Sequence, residues 1–337
     1  MTLAEACAAA MFVGITLYAL LAGADFGAGF WDLVAGGEAK GREQRALIEE
    51  SIAPVWEANH VWLIFVLVTL WTAFPSAFAS IMSTLYVPLT LAAVGIILRG
   101  AAFAFRKASE TLPLRRLFGA TFASSSVLTP FMFGAVVGGI ASGRVPAGER
   151  TGNVLGSWLN PTSILGGVLA VVACAFLAAV YLTADAERRG HHDLVSAFRM
   201  RAIASAVVAG AVALAGVFIL YHDAPDLFHG LTHRGAPLIG LSAAAGITTL
   251  VLLVRGAYAW ARFSAALAIV AVLFGWAAGQ YPYMLEHSLR ISDAAGAHAT
   301  LVAILVTLGV GAALLVPALT WLLVLTQRGT LSASADH

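Results

Sequence analysis

Residues 51–74 read SIAPVWEANHVWLIFVLVTLWTAF, and this stretch decides the class of fold. It begins with polar residues, among them Glu57, Asn59 and His60, and continues as a mostly apolar run that ends at Phe74. The run fits an α-helix that enters a bilayer, whose hydrocarbon core takes roughly 20 apolar residues per helix. The polar residues would then lie in the first two helical turns, at one edge of the membrane.

The spacing of these polar residues predicts two neighbouring pairs on the helix surface. Glu57 and His60 are three residues apart, and so are Trp56 and Asn59, a separation that places side chains on one helix face. A carboxylate and an imidazole in contact at the rim of an apolar helix can exchange protons. They can equally sit among lipid headgroups and only anchor the helix. The residue types alone leave both interpretations open.

The composition extends the membrane interpretation to the whole chain. Of the 337 residues, 60% are hydrophobic and 11% are charged, and the mean hydropathy is +0.87. We therefore predict an all-α polytopic membrane protein with a single membrane domain over residues 1–337. A net charge of +1 without a basic run gives no reason to expect nucleic acid. Cys7 and Cys174 lie in separate apolar runs, so neither a disulfide nor a thiolate metal site is expected.

Apolar runs between charged breaks predict about nine transmembrane helices. Their approximate ranges are 6–30, 56–74, 77–103, 116–141, 161–184, 199–221, 235–254, 261–281 and 298–326. Most Lys and Arg residues of the intervening loops fall on one side, and Arg144, Arg150, Arg234 and Arg290 fall on the other. Because cytoplasmic loops carry the excess of basic residues, we expect the N-terminus outside and the C-terminus in the cytoplasm.

Three charged residues share one predicted depth, toward the cytoplasmic face. Asp25 lies near the end of the first span, Glu57 at the start of the second and Arg99 near the end of the third. A charge at the centre of a membrane helix costs about 2.5–3.5 kcal/mol, so such residues usually form pairs or line a wet path. We expect Arg99 to pair with Asp25 or with Glu57. A pair that only orients three helices is the alternative.

Small residues next to Asp25 predict a close helix contact. Gly23 and Gly27 are four residues apart, the spacing that lets two membrane helices approach closely. This strip of the first helix should face protein and not lipid.

Two short matches predict an internal repeat. The segment LLAGAD at 20–25 matches VYLTAD at 180–185, and ILRGAAFAFR at 97–106 matches LVRGAYAWAR at 253–262. The similar offsets predict two four-helix units, residues 1–141 and 158–282, followed by an extra C-terminal helix, 298–327. The second unit has no counterpart of WEANH, so only the first carries the polar cluster.

Three segments between the spans are also interpreted. Residues 183–201 are expected to form a charged, solvated cytoplasmic loop that contains His191 and His192. Residues 222–233 are expected to form a short external loop, whose three histidines and two aspartates fit no metal-ligand spacing well. The aromatic residues of 280–283 are expected to anchor a helix at the outer interface.

The strongest motifs together resemble a known family. They are GADFGAGFWDL (23–33), SIAPVWEANHVWLIF (51–65), FP (74–75), ILRGAAFAFR (97–106) and GWAAGQYP (275–282). In this order they resemble the second subunit of the cytochrome bd family of quinol oxidases, the CydB family, over most of the chain. The resemblance implies a multi-pass subunit in the bacterial cytoplasmic membrane.

The resemblance also implies an enzyme complex. Such complexes are quinol:oxygen oxidoreductases of the proton-translocating class, which oxidise quinol and reduce dioxygen to water. A larger subunit I would carry two b-type haems and one d-type haem, and this chain would be a non-haem subunit that supports assembly. A bound quinone, a small accessory transmembrane subunit and membrane lipids are further candidates. The sequence agrees in that His60 and His298, the histidines nearest to predicted helices, both lie at helix ends, with no mid-span axial pair for a haem.

Residue roles follow from the same resemblance. Glu57, directly after Trp56, matches the acidic position of a cytoplasmic proton path, where some relatives carry Asp. His60 stands where relatives carry Gln, Glu or His, and it would act with Glu57 and Asp25 in that path. Arg99, Trp56 and Asn59 would hold charges and helices in place. No catalytic residue and no metal ligand is expected in this chain.

Two other classes of function remain open from the residues. A secondary transporter also combines repeats with buried charges, although the sequence shows no pair of Gly- or Pro-broken helices at matching mid-membrane positions. A purely structural membrane partner would use Glu57 and Asp25 only for docking. Solute flux through the isolated protein would favour the former, and acidic substitutions without effect on the assembled complex would favour the latter.

Overall fold

A computed structural model describes residues 1–36, 38–52, 56–109, 111–148 and 152–327. Thirteen helices and one two-stranded hairpin form the described part of the chain. The helices are α1 (Leu3–Leu33), α2 (Glu38–Ile52), α3 (Trp56–Ala73), α4 (Pro75–Thr84), α5 (Tyr86–Ala108), α6 (Leu112–Ala141), α7 (Pro161–Arg188), α8 (His192–Asp223), α9 (Pro225–His233), α10 (Ala236–Val254), α11 (Tyr258–Gln280), α12 (Ile291–Ala294) and α13 (His298–Gln327). The strands are β1 (Tyr283–Leu285) and β2 (Leu289–Arg290), which pair antiparallel.

Most of these helices are long and apolar enough to cross a bilayer. Among the described residues seven helices qualify, and the bent pair α3 and α4 makes an eighth if it is one span. The ninth predicted span corresponds to α13, of which His298–Leu314 counts only as a shorter apolar helix. The prediction of an all-α polytopic membrane protein is confirmed, and the exact count of nine is not.

The helices run between two ends of the bundle, which we name by their surface elements. The α2 end carries α2, the start of α3 and the turn between α7 and α8. The hairpin end carries the β-hairpin, α9 and the start of α1, where Thr2 and Glu5 form a reciprocal capping box.

Two sharp breaks correct the predicted boundaries at the hairpin end. Helix α3 turns by 117° into the short helix α4, which begins at Pro75, so the predicted span 77–103 is really part of α4 followed by α5. Helix α8 likewise ends at Asp223, and α9 begins at Pro225. The predicted loop 222–233 is therefore helical except at the break at Ala224. Proline fits the first turn of a helix, where its missing N–H is not needed.

The two breaks have nearly the same backbone geometry. Phe74 has φ −135° and ψ 60°, and Ala224 has φ −142° and ψ 65°. Sequence analysis missed this matched pair, which lies at helix ends and not in mid-span. The likeness supports the predicted four-helix repeat, which stays a prediction.

At the α2 end, two segments are more helical than predicted. Residues 183–201 form the end of α7 and the start of α8, joined by a tight turn at Gly190 with φ 76°, so the expected loop is short. Helix α2 was not predicted from the sequence. It is held against the bundle by Leu47 and Ile48, each 2% exposed.

The packing centre of the bundle lies where α1 crosses α7. A Cβ atom built on Gly27 would lie 1.8 Å from the carbonyl oxygen of Cys174, so only glycine permits this approach. The buried Trp31 indole donates to the carbonyl of Ala175 at 2.8 Å, one helical turn further along. The glycine spacing at 23 and 27 therefore does mark a protein-facing strip.

Residues 280–283 do more than anchor a helix at the interface. Gln280 is buried, accepts a hydrogen bond from the Trp276 indole at 2.8 Å and donates to the carbonyl of Met284 at 3.0 Å. The bond between Tyr281 and Pro282 is cis. Gln280 thus fixes the hairpin to the end of α11.

Candidate functional site

A buried ion pair joins α1 to α5. Arg99 Nη2 lies 2.7 Å from Asp25 Oδ1, and Nη1 lies 2.8 Å from Oδ2. Arg99 Nη2 also donates to the backbone carbonyl of Asp25 at 3.0 Å, and Nε donates to the Ser126 hydroxyl on α6 at 2.9 Å. Both charged residues are only 3% exposed. Of the two carboxylates predicted as partners of Arg99, the structure places Asp25 against it.

Two aromatic rings and the bidentate hydrogen bonds explain why the pair tolerates burial. Asp25 lies eight residues before the end of α1, about 12 Å along the axis at 1.5 Å per residue. The guanidinium lies between the rings of Phe26 and Phe122, with its carbon 5.0 and 4.6 Å from their centroids. Bidentate hydrogen bonds and two aromatic faces replace the water that a charge loses on burial.

The start of α3 lies against the same helix. Asn59 is fully buried, and its Nδ2 makes a long contact of 3.4 Å with the carbonyl of Leu21, one turn before Asp25. His60 is half-buried and forms interactions within the structure. The side chains of Trp56 and Glu57 lie outside the described residues. The backbone nevertheless places the first turn of α3 beside the ion pair.

Within the described part of the chain, three buried polar atoms near the pair have no hydrogen-bond partner. They are the hydroxyl oxygen of Tyr18, Oγ1 of Thr129 and Oδ1 of Asn59. Tyr18 precedes Asp25 by seven residues, which places both on one face of α1. Thr129 Oγ1 would lie 2.3 Å from a Cβ on Gly95, one turn before Arg99. Buried polar atoms of this kind commonly bind ordered water, so the interior beside the ion pair can be wet.

Sequence analysis named Asn59 but missed Tyr18 and Thr129, because hydroxyls in apolar runs carry no charge signal. Only the i, i+7 spacing of Tyr18 and Asp25 could have linked the tyrosine to the site.

A second ion cluster fixes α2 to the bundle. Asp32, 5% exposed at the end of α1, accepts from Arg45 Nε at 2.8 Å and from Arg106 Nη1 at 2.7 Å. Asp32 belongs to the GADFGAGFWDL motif, but no pairing was predicted for it. Its two arginines come from α2 and α5, so it joins three helices at the surface of the α2 end.

The described residues show little that fits a bound metal or haem. Within the described ranges no group of three or more His, Cys, Asp or Glu side chains could hold a metal ion. The expectation that only His60 and His298 lie near helices is wrong, because His192, His222, His229 and His233 are all helical. All four lie at or near the surface ends of α8 and α9. None of these four histidines therefore lies at mid-span in the described helices.

Together, these features define a polytopic α-helical membrane protein with a buried, hydrogen-bonded ion pair beside a polar helix start. The model of the family described as cytochrome bd terminal oxidase subunit II matches residues 3–326. The chain belongs to this family, as the motif resemblance predicted.

Individual relatives agree with the family assignment. The chain is 30% identical over 167 residues to cytochrome bd ubiquinol oxidase subunit 2 of Bacillus subtilis, a match that covers 49% of this chain and 48% of the relative. It is 29% identical over 225 residues to cytochrome bd-I ubiquinol oxidase subunit 2 of Escherichia coli K12, covering 63% and 56%. The matched segments thus span about half the length of these curated relatives.

A solved structure shares the fold. A chain of the bd oxidase from Geobacillus thermodenitrificans superposes with a TM-score of 0.76 at 23% identity, covering 97% of this chain and 99% of the other. At this identity the likeness concerns the arrangement of the helices.

Proposed function

We propose that this chain is the non-haem subunit of a bd-type terminal oxidase, a complex that oxidises quinol and reduces dioxygen to water. It would assemble in a bacterial cytoplasmic membrane with a larger subunit that holds the haems. The observation that carries the proposal is the family match from residue 3 to residue 326.

The proposal is tested in membranes of a strain that lacks the gene for this chain. Quinol-dependent oxygen consumption should be absent there and should return when the chain is supplied with its partner. Full consumption without the chain would contradict the proposal, and solute flux through the chain alone would favour a transporter.

We further propose that the α2 end faces the cytoplasm and admits protons. The basic residues concentrate there, with Arg42, Arg45 and Arg106 among the described ones, as expected of a cytoplasmic face. Dioxygen reduction consumes protons, so an oxidase needs a polar path from that face. The start of α3 and the ion pair lie together near this end, beside buried polar atoms that suit ordered water.

Within this path, we assign different roles to Asp25 and Glu57. Both carboxylate oxygens of Asp25 already accept charge-assisted hydrogen bonds from Arg99. Arg99 thus holds both oxygens in place, and we assign Asp25 a fixed charge that orients α1 and α5. Glu57 and His60, in the first turns of α3, are the proposed proton carriers. Asn59, and Trp56 as an expectation from the sequence, hold this helix start against α1.

The Glu57→Gln variant tests the proton path. It keeps the shape of the side chain and removes its proton exchange, so oxygen consumption per haem should fall by about a hundredfold to ten-thousandfold, the usual scale of lost proton transfer. Haem content and assembly should remain unchanged. The measurement is quinol-dependent oxygen uptake by the purified complex, normalised to haem.

Glu43→Gln is the matched control, because Glu43 is an exposed carboxylate on α2 at the same end. Its uptake rate should equal that of the wild type. Normal turnover in a fully haem-loaded Glu57→Gln complex would remove Glu57 from the path and favour a purely structural role.

A further inference from the structure

The hairpin end contains a cleft that the proposed function does not use. It has a volume of about 420 Å³ and lies between α9, the end of α11 and the β-hairpin. Its lining presents more polar than apolar surface. The lining residues are Asp226, His229, Gly230, His233, Arg234, Gly279, Tyr283, Glu286 and His287.

Glu286 is the unusual member of this lining. It is only 6% exposed, and its Oε2 atom has no hydrogen-bond partner among the described residues. The adjoining hairpin residues hold it in place, since Leu285 is fully buried and the Ser288 hydroxyl donates to the carbonyl of Val145 at 3.0 Å. A buried carboxylate oxygen without a donor costs free energy. The position therefore suits a ligand that brings a donor.

The donors around Glu286 are already in use. Arg234 donates to the carbonyl oxygens of Tyr281 and Gly279, the latter at 3.3 Å. His287 Nε2 lies 2.9 Å from Asp226 Oδ2 on α9. His233 Nδ1 lies 2.9 Å from the carbonyl of His229.

The cleft also has an excess of negative charge. Counting carboxylates and guanidinium groups alone, Asp226 and Glu286 contribute two negative charges and Arg234 one positive charge to the lining. Arg290 lies over the ring of Tyr283 at 5.7 Å and does not line the cleft. A cation would balance the lining. A metal ion is not favoured, because the described residues form no metal-binding group.

We propose that this cleft binds a primary ammonium group, with Glu286 as its main acceptor. An ammonium carries three N–H donors and one positive charge, and its hydrogen bonds to a carboxylate are charge-assisted. It would satisfy Oε2 and neutralise the lining in one contact.

The location points to the source of the ammonium. The cleft lies where apolar helices α8 and α11 end, beside the exposed Tyr281, a position typical of the membrane interface. The ethanolamine headgroup of a phospholipid presents an ammonium there. A free alkylamine shares the ammonium chemistry, and the experiment below separates the two sources.

The test uses the purified complex and measures retained lipid by native mass spectrometry. Vesicles supply dioleoyl phosphatidylethanolamine or dioleoyl phosphatidylcholine, whose trimethylated nitrogen has the charge without the N–H donors. The wild type should retain the ethanolamine lipid at least about tenfold better, which corresponds to about 1.4 kcal/mol. Glu286→Gln should abolish the preference, whereas Glu43→Gln should keep it.

The pH dependence provides a second readout. The ammonium needs an ionised Glu286, so the wild-type preference should increase with pH and that of Glu286→Gln should not. The groups that face Glu286 are Asp226, His229 and His233 on α9, Arg234 after it, and Tyr283 and His287 of the hairpin. In Asp226→Asn the preference for the ethanolamine lipid should still increase with pH, because Glu286 causes this pH dependence.

Competition with free ethanolamine distinguishes the sources. Displacement of the lipid by millimolar ethanolamine would identify the ammonium alone as the ligand, and lack of displacement would identify the whole headgroup. Equal retention of the two lipids by the wild type would overturn the proposal. This comparison uses the unchanged protein, so it decides the matter even if a variant fails to assemble.

Discussion

Replacing Asp25 by Asn should destabilise the protein far more than its small change in shape suggests. The substitution keeps the volume but removes the charge that both Nη atoms of Arg99 contact at 2.7 and 2.8 Å. Arg99, 3% exposed, would remain as a buried cation. Its other hydrogen bonds, to the Asp25 backbone and to Ser126, involve neutral acceptors and cannot compensate the charge.

The size of the effect follows from these contacts. Removing one partner of a buried ion pair costs about 3–5 kcal/mol, because an uncompensated charge remains. The double variant Asp25→Leu with Arg99→Met removes both charges and should cost much less than the sum of the single variants, since apolar replacement of a buried pair is often close to neutral. The exposed pair of Arg189 and Glu50, with side chains 40% and 57% exposed, provides the control at about 0–1 kcal/mol.

The assay is a double-mutant cycle of unfolding free energies measured by denaturant titration in mixed micelles. We expect a coupling between Asp25 and Arg99 of at least about 2 kcal/mol and a coupling below 1 kcal/mol for the exposed pair. Equal couplings for the two pairs would refute the reasoning that burial makes the Asp25–Arg99 pair essential.

Three further predictions concern packing, pH and helix docking. Gly27→Ala places a Cβ 1.8 Å from the Cys174 carbonyl and should cost about 1–3 kcal/mol in thermal unfolding, whereas Gly210→Ala, with nothing within 4 Å, should not destabilise. Burial raises the pKa of Glu286 above its ordinary 4.5, so the neutral carboxyl stabilises the fold fully below that value and loses its effect as pH rises through the raised pKa. In Glu286→Gln, the melting temperature should therefore fall less than in the wild type as pH rises from 4.5 through the raised pKa. An equal fall in both proteins would contradict the assignment. Asp32→Asn leaves two arginines without their carboxylate, so amide exchange in α2 should accelerate by about tenfold or more, with α7 unaffected.

The sequence was sufficient for the class of fold and for the family. Composition and apolar run length predict a helical membrane protein because a bilayer imposes both. The short helices α4 and α9 were not predicted, because most of α4 was merged into the span 77–103 and α9 was interpreted as a loop. Pro75 and Pro225 were the local signals, since proline commonly occupies the first turn of a new helix. Helix α2 was missed because few of its residues are apolar, and the ion pair of Arg45 with Asp32 that helps to fix it was not predicted.

The sequence predicted which residues could form the site but not which carboxylate pairs with Arg99. Sequence spacing shows which charges share a depth, but the choice between Asp25 and Glu57 depends on how α1, α3 and α5 rotate against one another. Close glycine contacts set that rotation, and they involve residues far apart in the chain. Glu286 looked like any carboxylate in a polar loop, because its burial results from the hairpin folding onto Val145.

The most direct test of the account is a reduced-minus-oxidised spectrum of the complex purified in mild detergent through a tag on this chain, together with its protein bands. We expect signals of b-type and d-type haem and one larger membrane partner. When the partner is removed, the haem signals should leave with it and this chain should be colourless. A colourless preparation without a partner, or haem that stays with this chain alone, would contradict the central claim.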